Sequence, residues 1–528
     1  MELSHQVCSL WGKTDYEACE YWLPLFVHLS DTAYTAGFLW DSWLPSGVRR
    51  EIAHGMRLDE GEARKFVTFI AGCHDLGKAT PVFQGKPVFI GGVRVVNPFS
   101  GRVNDSGLTI NPSVVARNGL GHAWCGGQLL YEHLSALLGR CVGGDDIRRA
   151  NKTLLSIASI IALHHGTTPR EALGGARTKK YASQLGMTGR DGDWRGVQAE
   201  LVYFVTQVAG MTDDEILQFC ARGLVIPANV AVLILGVCIM ADWLASNAEF
   251  FPLLPVVPQS EEGRSLQNGV FELDGLRARA METLQLVDIL PPWEEACAPN
   301  LNDPAAFAER FNFSSNMTPR PVQMDSVRAV DESSDPGLMI IEAPMGEGKT
   351  EAALAAAELL AVRSGRGGVL VALPTMATTD AMFSRVRAWL DRLPRREGCE
   401  SRSVYLAHGK ARLNDEFQGI VSTSRHILRQ AEERIEEELD ESGSVSTGLS
   451  ERIAKNDQVI ATDWLFGRKK GLLANFVVCT IDQVLMGALR MKHLALRDLG
   501  LANKVLVIDE CHAYDAYMQV YLKRTLEW

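Results

Sequence analysis

The chain has 528 residues, 46% hydrophobic and 22% charged, with unexceptional glycine and proline, the composition of a soluble globular protein of two to four domains. A formal net charge of -11 excludes a broadly basic coat while leaving room for a local nucleic-acid groove. Eleven cysteines without a C-x-x-C pair argue against a disulfide framework and suit a reducing compartment.

Residues 1 to about 250 read as mostly helical. Pro24 suits a helix start, and Leu25, His28, Leu29, Thr32, Ala36 and Leu39 follow at helical spacing, which places His28 on an apolar stripe. A second apolar run (Phe66, Val67, Phe69, Ile70) gives way to Ala71-Gly-Cys-His74-Asp75-Leu-Gly-Lys78. Residues 85–121 change to short apolar triplets among Gly, Asn and Pro, predicting a hairpin or long loop. Helical texture returns from Gly121-His122 to His133, and again from Leu154 to Leu163, ending in His164-His165-Gly166. Residues 167–198 are loop-like and locally basic, with Arg170, Arg177, Lys179, Lys180, Arg190 and Arg195 against three acids. A helix apolar nearly all round, Asn229 to Asn247, delivers Asp242. Its longest apolar run, Val230 to Ala241, is too short for a bilayer, and the N-terminus has no leader pattern. The expected location is cytoplasmic, with no membrane partner.

Residues 252–317, rich in Pro and acids with one amphipathic stretch near 273–288, read as a connector. From Thr318 strands alternate with helices: Leu338–Ile341, Val369–Leu373, Val404–Leu406, Phe476–Cys479 and Val505–Ile508, the pattern of a parallel sheet covered on both faces. Gln430 to Ser450 reads as an acidic helix running into a solvated loop, and Arg385, Arg387, Arg392, Arg395 and Arg396 near Trp389 as a solvated basic helix face.

Buried imidazoles and carboxylates need partners, and a cation serves both. Five of the eight histidines in the first 165 residues sit against apolar helical texture. With two acids they make a candidate ligand set of His28, His74, Asp75, His122, His164, His165 and Asp242. A single histidine on a helix face is most often a satisfied core residue, and one acid at a helix end a cap; seven such groups together are poorly explained that way. They suffice for one or two divalent ions, which lower the pKa of bound water and neutralise phosphate charge. Histidine-rich ligation suits Fe, Ni, Co or Zn, and the carboxylates would accept Mn or Mg. His74 and Asp75 are the expected catalytic core, and Lys78, one turn on, is placed to hold a phosphate as a point charge.

Ala343-Pro-Met-Gly346-Glu-Gly348-Lys349-Thr350 lies between an apolar strand and a helix, the context a P-loop requires. Gly346 and Gly348 let backbone N–H groups cradle phosphates, Lys349 reaches the terminal ones, and Thr350 ligates Mg of bound ATP. Val505-Leu-Val-Ile-Asp509-Glu510-Cys-His brings Asp509 to the sheet's carboxyl edge to hold magnesium, with Glu510 set to polarise the attacking water.

Two resemblances join these parts. His28-Leu-Ser-Asp-Thr-Ala, His74-Asp75-Leu-Gly-Lys78, Gly-His122-Ala, Ala-Leu-His164-His165-Gly and Ala-Asp242-Trp-Leu-Ala-Ser resemble the HD nuclease domain of the CRISPR-associated nuclease-helicases of type I interference systems, in which the matching positions bind divalent metal and cut single-stranded DNA. The P-loop, Asp509-Glu-Cys-His-Ala-Tyr-Asp and Thr318-Pro-Arg-Pro-Val-Gln323 resemble the first lobe of superfamily 2 helicases. There Gln323 matches the adenine-reading position. Ala372-Leu-Pro-Thr375 and Cys479-Thr-Ile-Asp482-Gln483 match elements that touch the DNA backbone.

The expected architecture is multidomain: an all-α HD-type metal phosphohydrolase domain at 1–252, a linker at 253–317, and an α/β RecA-like (P-loop) helicase lobe at 318–528. No Ser-Ala-Thr-like third motif or second lobe follows Glu510, so the expectation is a fragment or a motor completed by a separate polypeptide. The resemblance implies a metal-dependent nuclease coupled to an ATP-dependent helicase, acting on single-stranded DNA after recruitment by the Cascade complex with its guide RNA and target DNA. The alternatives are an HD phosphohydrolase of nucleotides or cyclic dinucleotides, and a catalytically incomplete docking module.

Overall fold

Pro24 closes a strand instead of opening a helix, and the helix that carries His28 starts at the next residue. The computed structural model describes residues 1–528 except 16–17, 91–92, 117–119, 142–144, 168–170, 190–191, 288, 294–298, 335–336, 395–401, 425–458, 461–469 and 490. It divides into two units: Met1–Asp41 with Ile52–Leu284, and Ser42–Glu51 with Gln285–Trp528.

In the first unit, β1 (Trp11–Thr14) and β2 (Tyr21–Pro24) pair antiparallel. Helix α1 (Leu25–Ser42) is buried at nearly every position, so its polar residues depend on internal partners. Asp31, fully buried, meets Arg279 at 2.5 Å. Helix α2 (Glu60–Gly72) starts at a capping box, with Asp59 accepting from the Glu62 N–H and Glu62 from the Asp59 N–H. Past its end, His74 and Asp75 lead into a 3-10 turn, Leu76–Lys78. The expected hairpin forms from β3 (Val88–Ile90) and β4 (Val93–Val95), followed by short helices at Phe99–Asp105 and Pro112–Val115. Helices α3 (His122–Cys141) and α4 (Asp145–Ala162) pack closely, and α5 (Ala228–Ala245) packs on α2 and α4. Two glycines permit these approaches. A Cβ on Gly77 would lie 1.9 Å from the His122 carbonyl oxygen, and one on Gly127 2.4 Å from that of Ala158. By length and composition α5 would suit a membrane span, but 67% of it is buried inside this fold.

The connector expected at 253–317 is structured and divided. Up to Leu284 it belongs to the first unit: β5 (Leu254–Pro255) extends the small sheet beside β2, and α6 (Leu273–Leu286) supplies Arg279 to Asp31. From Gln285 it belongs to the second, where Trp293, Leu301 and Phe307 are core residues. Its prolines and acids read as linker because the scattered apolar anchors between them lack a sustained period.

The second unit holds a five-stranded parallel sheet in the order β10-β6-β9-β7-β8, from β6 (Val369–Leu373), β7 (Arg402–Ala407), β8 (Val459–Ile460), β9 (Phe476–Thr480) and β10 (Val505–Ile508). The central β6 and β9 are buried throughout, and β10 is half-buried. Helices α7 (Pro321–Glu332), α8 (Lys349–Ser364), α9 (Met376–Leu390), α10 (Leu494–Ala502) and α11 (Ala516–Glu527) complete the part described below. The strand expected at Leu338–Ile341 does not form. Among the described residues nothing pairs with it, and Leu338 and Ile340 are 72% and 80% exposed. An apolar run becomes a strand only where a neighbour supplies hydrogen bonds.

Candidate metal centre and nucleotide cavity

Asp75 is the hub of the first unit. Its Oδ2 lies 3.0 Å from His28 Nε2, 3.2 Å from His74 Nε2 and 2.7 Å from Lys78 Nζ. Its Oδ1 faces the other way, 3.3 Å from His122 Nε2 and 3.6 Å from His164 Nε2. Asp242 Oδ1 closes the first side, 3.4 Å from His74 Nε2 and 3.7 Å from His28 Nε2. The ligand atoms therefore fall into two sets, each spanning no more than 4.8 Å: His28, His74, Asp75 and Asp242, and His122, His164 and His165. All seven residues meet in one place, with one carboxylate between the two sets.

Backbone geometry aims two of the imidazoles. At the ends of α2 and α4 the last carbonyls lack helical partners. There His74 Nδ1 donates to Ala71 O and His164 Nδ1 to Ile161 O, each at 2.8 Å. Each ring is thereby turned with Nε2 inward, and His164 is fixed in the tautomer that leaves its Nε2 lone pair free. Among the described residues, His74 Nε2, His164 Nε2 and Asp75 Oδ1 are buried without a hydrogen-bond partner, and the Nε2 atoms of His122 and His165 lie 2.6 Å apart. Buried polar atoms left this way cost free energy unless something binds them, and nitrogen and carboxylate donors converging on two points fit divalent cations.

The electrostatics agree. Burial pushes His28 and His164 down to about 3, and burial with His122 nearby pushes His165 down to about 4, so all three are neutral ligands near pH 7. Burial also opposes a charge on His74, but Asp75 and Asp242 outweigh it and hold His74 up at about 9. Both carboxyls stay well below their ordinary range in spite of burial. Asp75 is held by Lys78 and His74, and Asp242 by His74.

Two further residues, Lys13 and Gly12, carry no motif signal, and a third, Ser246, closes the Ala-Asp242-Trp-Leu-Ala-Ser motif. Lys13, in β1, is pulled down to about 8 by burial against the fields of Asp242 and Asp75, a second cation beside Lys78. Gly12 O accepts from Lys78 Nζ at 2.8 Å and so aims that lysine. Ser246 Oγ donates to Asp242 Oδ1 at 2.7 Å, one turn beyond it on the same face.

In the second unit a cavity of about 370 Å³ is lined by Phe313, Met317, Thr318, Arg320, Gln323, Met345, Gly346, Gly348, Lys349, Thr350, Glu351, Arg385 and Glu510. Gly346 and Gly348 have φ of 81° and 77°, a left-handed pair that side chains disfavour. Gln323 accepts from the Arg320 N–H and donates to Gly348 O at 3.2 Å, and Lys349 Nζ folds back on Ala343 O at 2.9 Å. Asp509 ends β10, its N–H bonded to Ala372 O and its Oδ1 accepting from the Glu510 N–H. Glu510 has φ of 52°, a strained conformation typical of functional positions. Arg385 bonds Glu351 and Arg387 bonds Glu416, so these two arginines of the basic stretch are ion-paired, while Arg392 is exposed. Arg170, Arg190, Arg395, Arg396 and Gln430–Ser450 lie outside the described residues.

Comparison with known proteins places these geometries. Residues 11–251 match the family model for the Cas3 HD domain. The CRISPR-associated nuclease/helicase Cas3 of Streptococcus thermophilus is 31% identical over 526 residues, covering 98% of this chain and 50% of that protein. The T. fusca Cas3-AMPPNP crystal structure superposes with a TM-score of 0.68 at 29% identity, over 100% of this chain and 49% of that one. A chain of a CRISPR RNA-guided surveillance complex, pre-nicking, does so at 0.61 and 27%, over 98% and 46%. The chain spans about half the length of the curated relatives it matches. The Cas3 HD-domain match over residues 11–251, followed by a parallel-sheet lobe of RecA type, makes this chain similar along nearly its whole length to the Cas3 nuclease/helicases, of which it spans about half.

Proposed function

We propose that this protein is a metal-dependent nuclease for single-stranded DNA, joined to an ATP-binding helicase lobe, and that it degrades target DNA in type I CRISPR interference after recruitment by Cascade. The observation that carries the reading is Asp75, whose two oxygens face two separate histidine sets. Divalent ions held there, of Mn, Ni, Co, Fe or Mg and up to two in number, would supply a nucleophilic hydroxide at neutral pH and neutralise phosphate charge. His28, His74, Asp75 and Asp242 would hold one ion, and His122, His164 and His165 the other, with Asp75 shared. Lys78 and Lys13 hold positive charge beside the carboxylates and favour an anionic phosphodiester over neutral substrates. Ala71 O and Ile161 O keep His74 and His164 from turning away.

In the lobe, Gly346 and Gly348 shape the phosphate cradle, Lys349 leaves Ala343 O to meet phosphate, and Thr350 with Asp509 holds ATP-bound Mg. Gln323 reads adenine, and Glu510 orients water. A relative's crystal structure with AMPPNP and a relative's chain in a surveillance complex support the nucleotide and the recruitment. Translocation requires a second lobe, on the same polypeptide or a separate one.

Purified protein with manganese or nickel should nick single-stranded DNA without ATP. His74→Ala or Asp75→Ala should abolish nicking, and Lys349→Ala should leave it intact. Nicking that survives both HD substitutions, or a substrate panel in which cyclic dinucleotides alone are cleaved, would overturn the assignment.

A further inference from the structure

Arg385 has no part in the motifs above, yet it reaches the nucleotide cavity. Helix α9 leaves β6 at Thr375, whose hydroxyl accepts from the Thr378 N–H and caps it. Further along the helix, Arg385 lines the cavity together with Lys349, Thr350 and Glu510. Its Nη2 donates to Glu351 Oε1 at 2.6 Å, and Glu351 is the residue after Thr350, in the first turn of α8.

The fold has little need of this bond. Arg385 is 50% exposed and Glu351 22%, and an ion pair so placed, screened by solvent, adds little to stability. The two helices are already joined through Leu354, Ala357, Phe383 and Val386 in one core cluster. What the bond does provide is aim. A guanidinium has five N–H donors in a rigid plane, and one bond to Glu351 leaves the rest for another acceptor. Bidentate binding of phosphate oxygens is the chemistry arginine is best suited to. The cavity's other cations are differently engaged: Lys349 on Ala343 O, and Arg320 on Glu347 at 3.0 Å. Arg320 is tied to Gln323, whose Oε1 accepts from its N–H, whereas Arg385 is tied to Glu351, next in the chain to Thr350, in a cavity that Thr350 and Glu510 also line.

We propose that Arg385, held in plane by Glu351, binds the terminal phosphate of a nucleoside triphosphate and sets the lobe's preference for triphosphate over diphosphate. The inference rests on the P-loop reading of Gly346–Thr350. It also ties that phosphate to α9, the helix that follows Ala372-Leu-Pro-Thr375, where DNA contact is expected.

The test is equilibrium binding of a fluorescent non-hydrolysable ATP analogue and of fluorescent ADP, with magnesium, to the full chain. Arg385→Ala should weaken triphosphate binding about tenfold or more and leave ADP within about twofold, with an unchanged melting temperature. Arg385→Lys, which keeps the charge but not the fork, should recover only part of the preference. Glu351→Gln, which frees the guanidinium from its anchor, should lower the triphosphate preference without removing ADP binding. Equal loss of both nucleotides in Arg385→Ala and Arg385→Lys, or no loss of either, overturns the proposal. A wild-type chain that binds neither nucleotide, or a Lys349→Ala chain that binds both normally, overturns the P-loop reading itself.

Discussion

The metal centre and the nucleotide cavity are built from opposite materials. The first collects its groups from five separated segments, between His28 and Asp242, and buries most of them. The second takes most of its lining from one loop and the turn before α7, with half-exposed side chains. Burial makes the difference. A buried carboxylate or imidazolium without partners costs several kcal/mol, so the first site has to be mutually compensated before anything binds. The proposed nucleotide site can leave Lys349 resting on its own loop in the absence of phosphate, because little is desolvated there. One site is preassembled, the other assembled on binding.

Removing the hub should separate them most. Asp75→Ala leaves Lys78 and a charged His74 buried without their partner, and should destabilise the metal-free protein by about 3–5 kcal/mol while abolishing metal uptake. Lys349→Ala removes a part-buried group from a loop and should change stability by less than about 1 kcal/mol. Denaturant unfolding of the two variants, with metal analysis, checks the contrast. Equal losses would mean that the metal centre is not electrostatically preassembled.

Backbone glycines should repeat the contrast at smaller scale. Gly77→Ala drives a Cβ into the His122 carbonyl and should cost about 3 kcal/mol, since neither the turn nor α3 has room to retreat. A Cβ on Gly346 meets nothing within 4 Å, and only its left-handed backbone resists, for about 1–2 kcal/mol. Thermal unfolding reads both. A smaller effect for Gly77→Ala would show that the turn after Asp75 yields.

Contiguity decides how much of each site could be read from the sequence. The P-loop is legible because its glycines, lysine and threonine are neighbours in the chain as well as in space. The seven candidate ligands were legible only as a set, because each alone resembles a core histidine or a cap. Lys13 and Gly12 left no signal: a strand lysine and a backbone carbonyl matter only through what the fold places opposite them, and Ser246, though it closes the Ala-Asp242-Trp-Leu-Ala-Ser motif, shows its role only through its bond to Asp242. The same reason hid the ends of the connector, where Arg279 finds Asp31 far back along the chain. The false strand at Leu338–Ile341 errs in the other direction, since composition cannot supply a hydrogen-bonding neighbour.

Protons sharpen the picture of the metal centre further. His74 in the metal-free protein is raised to about 9 from an ordinary 6.5, so its ring carries a proton at neutral pH that a metal must displace. That proton stabilises the metal-free fold fully below about pH 6.5, and the contribution is lost as the pH rises through about 9. Affinity for the ion on the His74 side runs the opposite way, rising up to about tenfold per pH unit until about pH 9, with close to one proton released as that ion binds. Calorimetry in buffers of different ionisation enthalpy measures the release. Binding without proton release near pH 7 would place the ions away from His74.

The smallest effect should come from Ser246. Backbone carbonyls aim His74 and His164, and no substitution removes those, but Asp242 is aimed by a side-chain hydroxyl. Ser246→Ala leaves the carboxylate in place and its charge unchanged, so stability should hold within about 1 kcal/mol. The freed Oδ1 can then rotate away from His28 and His74, and affinity for the ion on that side should fall about tenfold, the usual effect of removing a group that orients a ligand. The other ion, held by His122, His164 and His165, makes no contact with Asp242 and should bind as before. A titration showing one weakened and one unchanged site would demonstrate two separable ions. Uniform weakening would mean that the sets bridged by Asp75 act as a single site.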